Sequence, residues 1–280
     1  VLHIGKLNTL KAFRKTDFGW MLINREADEV LLPNRFSPKD MKPGDTIQAF
    51  VYKDSEDRPV ATTLQPKAMV GEFACLRVKE VSDVGAFLDW GLDKDLFLPF
   101  REQKKRVADG ELSLVYLFLD EKSERIVATN NIGKYILPAD TSLKVNDPVD
   151  VLIADDINIG IRVIVNNKHM GLLFKNEIFG DIAPGIHVKG YIKKLREDGK
   201  LDVALQKQGI QAAKDVKDII MEKLIASKGI LKLSDDSSPE EIYDQLGISK
   251  KNFKKAVGML YKEGKIIPGD SDIKLVAEKK

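Results

Sequence analysis

At 280 residues, with 43% hydrophobic and 31% charged side chains, the chain has room for two to four small domains, each burying its own core. A net charge of only +2 excludes overall basicity as a way of holding polyanions, so any such binding must come from local patches. The single cysteine, Cys75, excludes an intramolecular disulfide. It sits in an apolar strand pattern as a buried structural thiol. Together with the lack of a charged-then-apolar leader or of a run near the roughly 20 apolar residues that span a bilayer, it leads us to expect a cytoplasmic protein with no membrane partner.

Residues 1–65 alternate in short apolar runs. Strands are expected at 6–14, 19–24, 29–32, 46–53 and 60–64, with turns at Met41-Lys-Pro-Gly-Asp45 and at Asp54–Pro59. Residues 66–130 repeat the unit. Shifted back by 66, Gly85 falls on Gly19, Pro99 on Pro33 and Asp120 on Asp54, and one residue later in the register Arg125 meets Arg58. The glycine inside Val84-Gly-Ala-Phe-Leu88 is expected to mark a bulge or sharp bend that lets a small five-stranded barrel close. This unit carries a polar insertion, Arg101-Glu-Gln-Lys-Lys-Arg106, readable as a solvated loop or as a phosphate-contacting one.

Residues 131–148 form a linker whose Ile132, Tyr135, Ile136 and Leu137 should pack on the barrels. A third copy spans 149–207: shifted forward by 75, Gly85 falls on Gly160, Leu98 on Leu173 and Arg125 on Lys200. Its Asp181-Ile-Ala-Pro-Gly185 resembles the Met41 turn, and Glu197-Asp-Gly-Lys200 is a hairpin turn.

From 208 to 280 the period becomes helical. Ile210, Val216, Ile219, Ile220, Leu224 and Ile225 give one helix an apolar face, and a short strand follows at 230–233. Ser238-Pro-Glu-Glu241 reads as a capping box opening a helix that stops at Gly247. Ser249 caps the next helix, and a hairpin forms around Pro268-Gly-Asp270. Helix, strand, helix, helix and hairpin is a winged-helix order. The fold class is therefore mainly β with a C-terminal α+β part.

No enzymatic constellation emerges. His3, His169 and His187 are scattered, no phosphate-cradling loop or nucleophile elbow occurs, and Asp155-Asp156 reads as solvent-facing rather than as a metal pair. We expect a non-enzyme without cofactor or metal.

The Gly-aromatic strand, the Gly-Leu-Leu-like third strand and the Asp…Arg closing hairpin resemble the S1 domain, an OB-fold RNA-binding module. Three such units followed by a winged helix resemble the bacterial conserved virulence factor B (YitL-like) family. That resemblance implies an RNA-binding face at Phe18, Met21, Asp54 and Arg58 in unit one, and at Phe87, Asp120 and Arg125 in unit two. In unit three it implies Arg162, Phe174 and Lys200, with Lys193 and Lys194 nearby. The third-strand position, often His in that family, is Pro33, Pro99 and Phe174 here, so no unit has the full set. It also implies post-transcriptional regulation, of virulence factors in pathogens. Trp20 aligns with Ala86 and is expected in a core or between domains.

In the winged helix, Lys250, Lys251, Lys254 and Lys255 largely avoid the apolar face and suit phosphate contact. No Arg occurs after Arg196, which argues against sequence-specific base reading. Single-stranded RNA is the expected partner. The rivals are a protein–protein scaffold that has lost the RNA face and a duplex-DNA regulator acting through the winged helix.

Overall fold

The computed structural model describes residues 1–139, 142–175, 178, 182–206 and 209–276, with backbone alone over 209–215. The start of the expected turn at Asp181 and the inter-domain residues Lys207 and Gln208 lie outside this set, as does the side chain of Ile210.

Three closed barrels follow one another. The first contains β1 (Leu7–Thr16), β2 (Gly19–Ile23), β3 (Glu29–Pro33), β4 (Thr46–Lys53) and β5 (Pro59–Thr62). The second contains β6 (Phe73–Ser82), β7 (Gly85–Asp89), β8 (Leu96–Pro99), β9 (Leu112–Leu119) and β10 (Ile126–Thr129). The third contains β11 (Pro148–Ile157), β12 (Gly160–Val165), β13 (His169–Phe174), β14 (His187–Leu195) and β15 (Leu201–Ala204). All three close in one circular order, first-second-third-fifth-fourth, with the third and fifth strands parallel. Alternation sets the faces: in β7, Ala86 and Leu88 are fully buried while Phe87 is half-buried and turned outward.

The glycine works differently from the expectation. The register shift lies in the first strand of each barrel, between Ala12 and Arg14, Val78 and Glu80, and Ile153 and Asp156. Gly19, Gly85 and Gly160 instead sit where the second strand closely approaches the third. A Cβ on them would lie 2.0, 2.5 and 2.3 Å from the carbonyl oxygens of Leu32, Leu98 and Leu173. Only a residue without a Cβ lets these strands approach so closely.

The barrels touch through shared apolar clusters. Phe50, Tyr52 and Val60 of the first barrel join Trp90, Leu92 and Leu96 of the second, with the Phe50 and Trp90 rings edge-to-face at 5.7 Å. Trp20 is a core residue of the first barrel. Between the second and third barrels, Phe73 and Leu114 pack with Leu152 and Ile164, and Ile132, Tyr135 and Ile136 of the linker cover this seam. Tyr135 stacks on Tyr116 at 3.8 Å. The Asn167 side chain accepts from the Phe73 N–H and donates to the Gly71 carbonyl.

The C-terminal part comprises α1 (Gly209–Ala226), β16 (Ile230–Leu231), α2 (Pro239–Leu246), α3 (Lys250–Lys262), β17 (Ile266–Pro268) and β18 (Ile273–Leu275). Its core gathers Ile220, Leu224, Ile242, Phe253 and Leu260. The Ser238–Glu241 capping box forms, and Gly247 closes α2 in the left-handed conformation that glycine adopts at least cost. The three short strands make one sheet, β16-β18-β17. Gln206 ties this part to the third barrel: its amide donates to the Gly247 carbonyl and accepts from Ser249 N–H and Asn252 Nδ2.

Candidate nucleic-acid interface

β7 and β8 run antiparallel with Phe87 directly opposite Phe97. Leu96 and Leu98 point into the core, so Phe97 must face outward, and the two rings meet at 5.3 Å with a tilt of 33°. They line a cleft of about 680 Å³ together with Val84, Pro99 and Phe100 of the second barrel and Tyr52 and Lys53 of the first. Half-buried aromatic faces on an outward barrel surface are what unstacked bases need, since every base presents a π-face.

Four cations line the cleft: Lys53, Lys94, Arg101 and Arg125. Arg101 donates to Asp120 at 2.9 Å, and Lys53 pairs with Glu124 at 2.7 Å. Asp120 also accepts from the Ser123 hydroxyl and backbone, and these bonds together with Arg101 hold its carboxyl below the usual range. Arg125 reaches across to the first barrel, its Nε donating to Asp57 at 2.6 Å, which lowers the Asp57 carboxyl as well. Lys94 differs. Its ammonium donates to the Lys53 carbonyl at 3.3 Å, and no carboxylate among the described residues pairs with it. Burial pushes its pKa down, and the nearby Arg125 charge adds to the effect.

The other barrels lack this aromatic pair. The residues in the Phe87–Phe97 register are Met21 opposite Leu31 in the first barrel and Arg162 opposite Leu172 in the third. Met21 is half-buried, while Phe18 at the β1–β2 turn is 78% exposed, as its counterparts Val84 and Ile159 are also exposed. Arg58 bonds to Asp54 and Glu56 of its own hairpin, not to the cleft. Arg162 is held bidentate by Asp155 at 2.7 and 2.8 Å, and Asp156 pairs with Lys175. No group of three metal-ligating side chains occurs among the described residues.

Phe174 carries two cations above its ring, Lys193 at 5.4 Å and Arg196 at 5.9 Å, with Lys194 exposed beside them and Lys200 bonded to Asp198. On α3, Lys251 and Lys255 are exposed, Lys250 is half-buried, and Lys254 lies 3.6 Å from Asp235. Of the anticipated residues, Phe87 and Arg125 share the cleft, Lys193 meets Phe174 on the third barrel, and the four lysines lie on α3. Phe18, Met21 and Arg58 stay on the first barrel, and Arg162 and Lys200 are tied to Asp155 and Asp198 on the third.

Sequence reasoning passed over Phe97, Lys94 and Lys53. Phe97 had a signal, the Leu-Phe-Leu alternation; the two lysines had none, because their placement depends on how two barrels meet.

The S1-domain family model matches residues 4–64 and 70–130, the first two barrels, and a CvfB-like winged-helix family model matches 218–275. The chain thus carries two S1-type domains and a CvfB-like winged-helix domain. Among its relatives, Bacillus subtilis YitL is 25% identical over 269 residues, covering 94% of this chain and 90% of that protein. Conserved virulence factor B of Staphylococcus aureus is 24% identical over 232 residues, covering 80% and 77%. A crystal structure of a Streptococcus pneumoniae multidomain protein with nucleic acid binding domains aligns over 98% of both chains at 24% identity, with a TM-score of 0.41. S1 barrels and a winged helix both point to nucleic-acid binding. No helix among the described residues is long and apolar enough to cross a membrane.

Proposed function

We propose that this protein binds single-stranded or loosely structured RNA, without catalysis, chiefly through the cleft of the second barrel. The observation that carries this reading is the Phe87–Phe97 pair set beside Lys94, Arg101 and Arg125. The aromatic pair offers stacking worth about 1–3 kcal/mol per base, and the cations offer the phosphate contacts that make affinity fall with salt. The three barrels share apolar seams, so a strand would be read along a stiff array rather than by tethered beads. The name of one relative, conserved virulence factor B, is in keeping with a part in virulence in pathogens, and RNA binding without catalysis would exert it as post-transcriptional control. The single free cysteine suits a reducing, cytoplasmic setting.

The test is fluorescence anisotropy with labelled single-stranded RNA and duplex DNA across a salt series. Wild type is compared with Phe87→Ala/Phe97→Ala and with Lys250→Ala/Lys251→Ala/Lys254→Ala/Lys255→Ala. Salt-sensitive RNA binding lost with the aromatic pair is the expected result. Loss only in the lysine variant, with duplex preferred, moves the site to α3. No binding to either at micromolar protein leaves the protein-scaffold reading.

A further inference from the structure

The cleft of the second barrel is not built by that barrel alone. Tyr52 and Lys53, at the end of β4, also line it, and the hairpin that follows them carries Asp57 to Arg125. Three ion pairs join the two barrels among the described residues: Arg35 to Asp93 and Lys53 to Glu124 in one sense, and Asp57 to Arg125 in the other. Lys94 adds a further cation with no carboxylate partner among the described residues. With Asp54, whose charge acts on Lys94 from the first barrel, the seam sets Lys53, Lys94 and Arg125 against Asp54, Asp57 and Glu124 at the edge of the aromatic pair. An arginine beside a stacking surface is the usual place for a backbone phosphate, and here an aspartate from a neighbouring domain already occupies it.

We propose that the cleft is a two-barrel site for one nucleotide of a single strand, in which the strand's phosphate takes the place of the Asp57 carboxylate on Arg125. This rests on the RNA-binding reading above and adds that the first barrel regulates the second. One phosphodiester replaces one carboxylate, so the charge on Arg125 is conserved. Asp57 stands at an exposed hairpin tip and is released into water at little cost. The incoming phosphate also meets Lys94, which Asp57 does not pair with. The hairpin thus acts as a competitor tethered to the chain: it weakens binding by strands whose nucleotide does not cover the aromatic pair, because those strands do not recover by stacking what they spend in displacing the carboxylate.

The experiment measures Kd for a short fluorescein-labelled single-stranded RNA of mixed sequence, using the full chain. Asp57→Asn keeps the hairpin's shape and leaves Arg125 facing only a neutral acceptor, so Kd should fall roughly twofold to fivefold, the range set by an exposed ion pair. Glu121→Gln removes one negative charge from the neighbouring hairpin without touching Arg125 and should give a clearly smaller change. In an Arg125→Ala background the gain from Asp57→Asn should vanish, since the two residues act through one bond. An Asp57→Asn variant that binds as wild type or more weakly overturns the proposal, as does an equal gain with Arg125→Ala present. If RNA binding still depends on Phe87 in that case, the RNA-binding reading survives and only the competitor is lost. If wild type binds no RNA, both fall.

Discussion

Gly85→Ala should unfold the second barrel at much lower denaturant. The φ of 158° lies at the edge of the range that residues with a Cβ rarely adopt, and close contact adds to the cost. The new Cβ would lie 2.5 Å from the Leu98 oxygen and 2.8 Å from both Pro99 Cα and a Phe97 ring carbon, where ordinary contact begins at 3.4 Å. β8 must then retreat by about 0.9 Å, against an interior that packs like a crystal. Two ladder positions, Gly85–Pro99 and Ala86–Leu98, lose their geometry. At about 0.5–1.5 kcal/mol per hydrogen bond, with disturbed packing at the fully buried Ala86 and Leu98, we expect a loss of about 2–4 kcal/mol. The chain has two tryptophans, Trp20 in the first barrel and Trp90 at the base of the second. In a Trp20→Phe background, Trp90 emission during urea titration reports the second barrel. With a slope of about 1 kcal/mol/M for a domain this small, the midpoint should fall by about 2 M or more. Gly133→Ala, where a Cβ meets nothing within 4 Å, should leave it unchanged. A Gly85→Ala midpoint within about 0.5 M of wild type would refute the close-approach argument.

Other expectations follow from the same geometry. Phe87→Ala should raise Kd for single-stranded RNA about fivefold to a hundredfold by anisotropy, while Met21→Ala, at the same register position of the first barrel, should change it less than twofold; equal losses would remove the second barrel's privilege. The Cys75 thiol is pushed up from 9.0 to about 11, by burial first and by Asp155 second. Alkylation at pH 8 should therefore run about a hundredfold slower than in the urea-unfolded chain, and equal rates would contradict the shielding of this half-buried thiol. Because the folded pKa is the higher one, this thiol's contribution to stability is complete below pH 9 and is lost as pH rises toward 11. Gly258 lies within α3 with open space around it, so Gly258→Ala should stabilise the winged helix by about 0.5–1 kcal/mol, read from its helical circular dichroism on heating; a lower midpoint would count against the α3 geometry.

Most of the architecture was legible because repetition amplifies weak signals. Offsets of 66 and 75 residues, taken from a few glycines, prolines and hydrophobics, correspond to one register: Gly19 opposite Pro33, Gly85 opposite Pro99, Gly160 opposite Phe174. The Ser238 capping box and the Gly247 stop were readable because caps are local chemistry. The role of the glycine was misread, since a bulge and a close approach leave the same mark in a sequence. Within the candidate site, Phe87 and Arg125 were found, but what surrounds them was not. Asp57 and Arg125 are 68 positions apart, on different barrels, and their meeting depends on how Phe50 and Tyr52 seat against Trp90. Likewise Arg58 looked like a free phosphate contact until its bonds to Asp54 and Glu56 were seen.

The common register of the three barrels also makes their faces exchangeable. The glycine and the carbonyl it approaches are fixed in every copy, whereas the cross-strand pair beside them differs: Met21 and Leu31, Phe87 and Phe97, and Arg162 with the buried Leu172. Met21 and Leu31 are only half-buried, so Met21→Phe with Leu31→Phe transplants the aromatic pair onto the first barrel without entering its core. A chain assembled from copies in this way can relocate its recognition surface along its own length by two substitutions, and its descendants can diverge in what they hold while the scaffold stays unchanged.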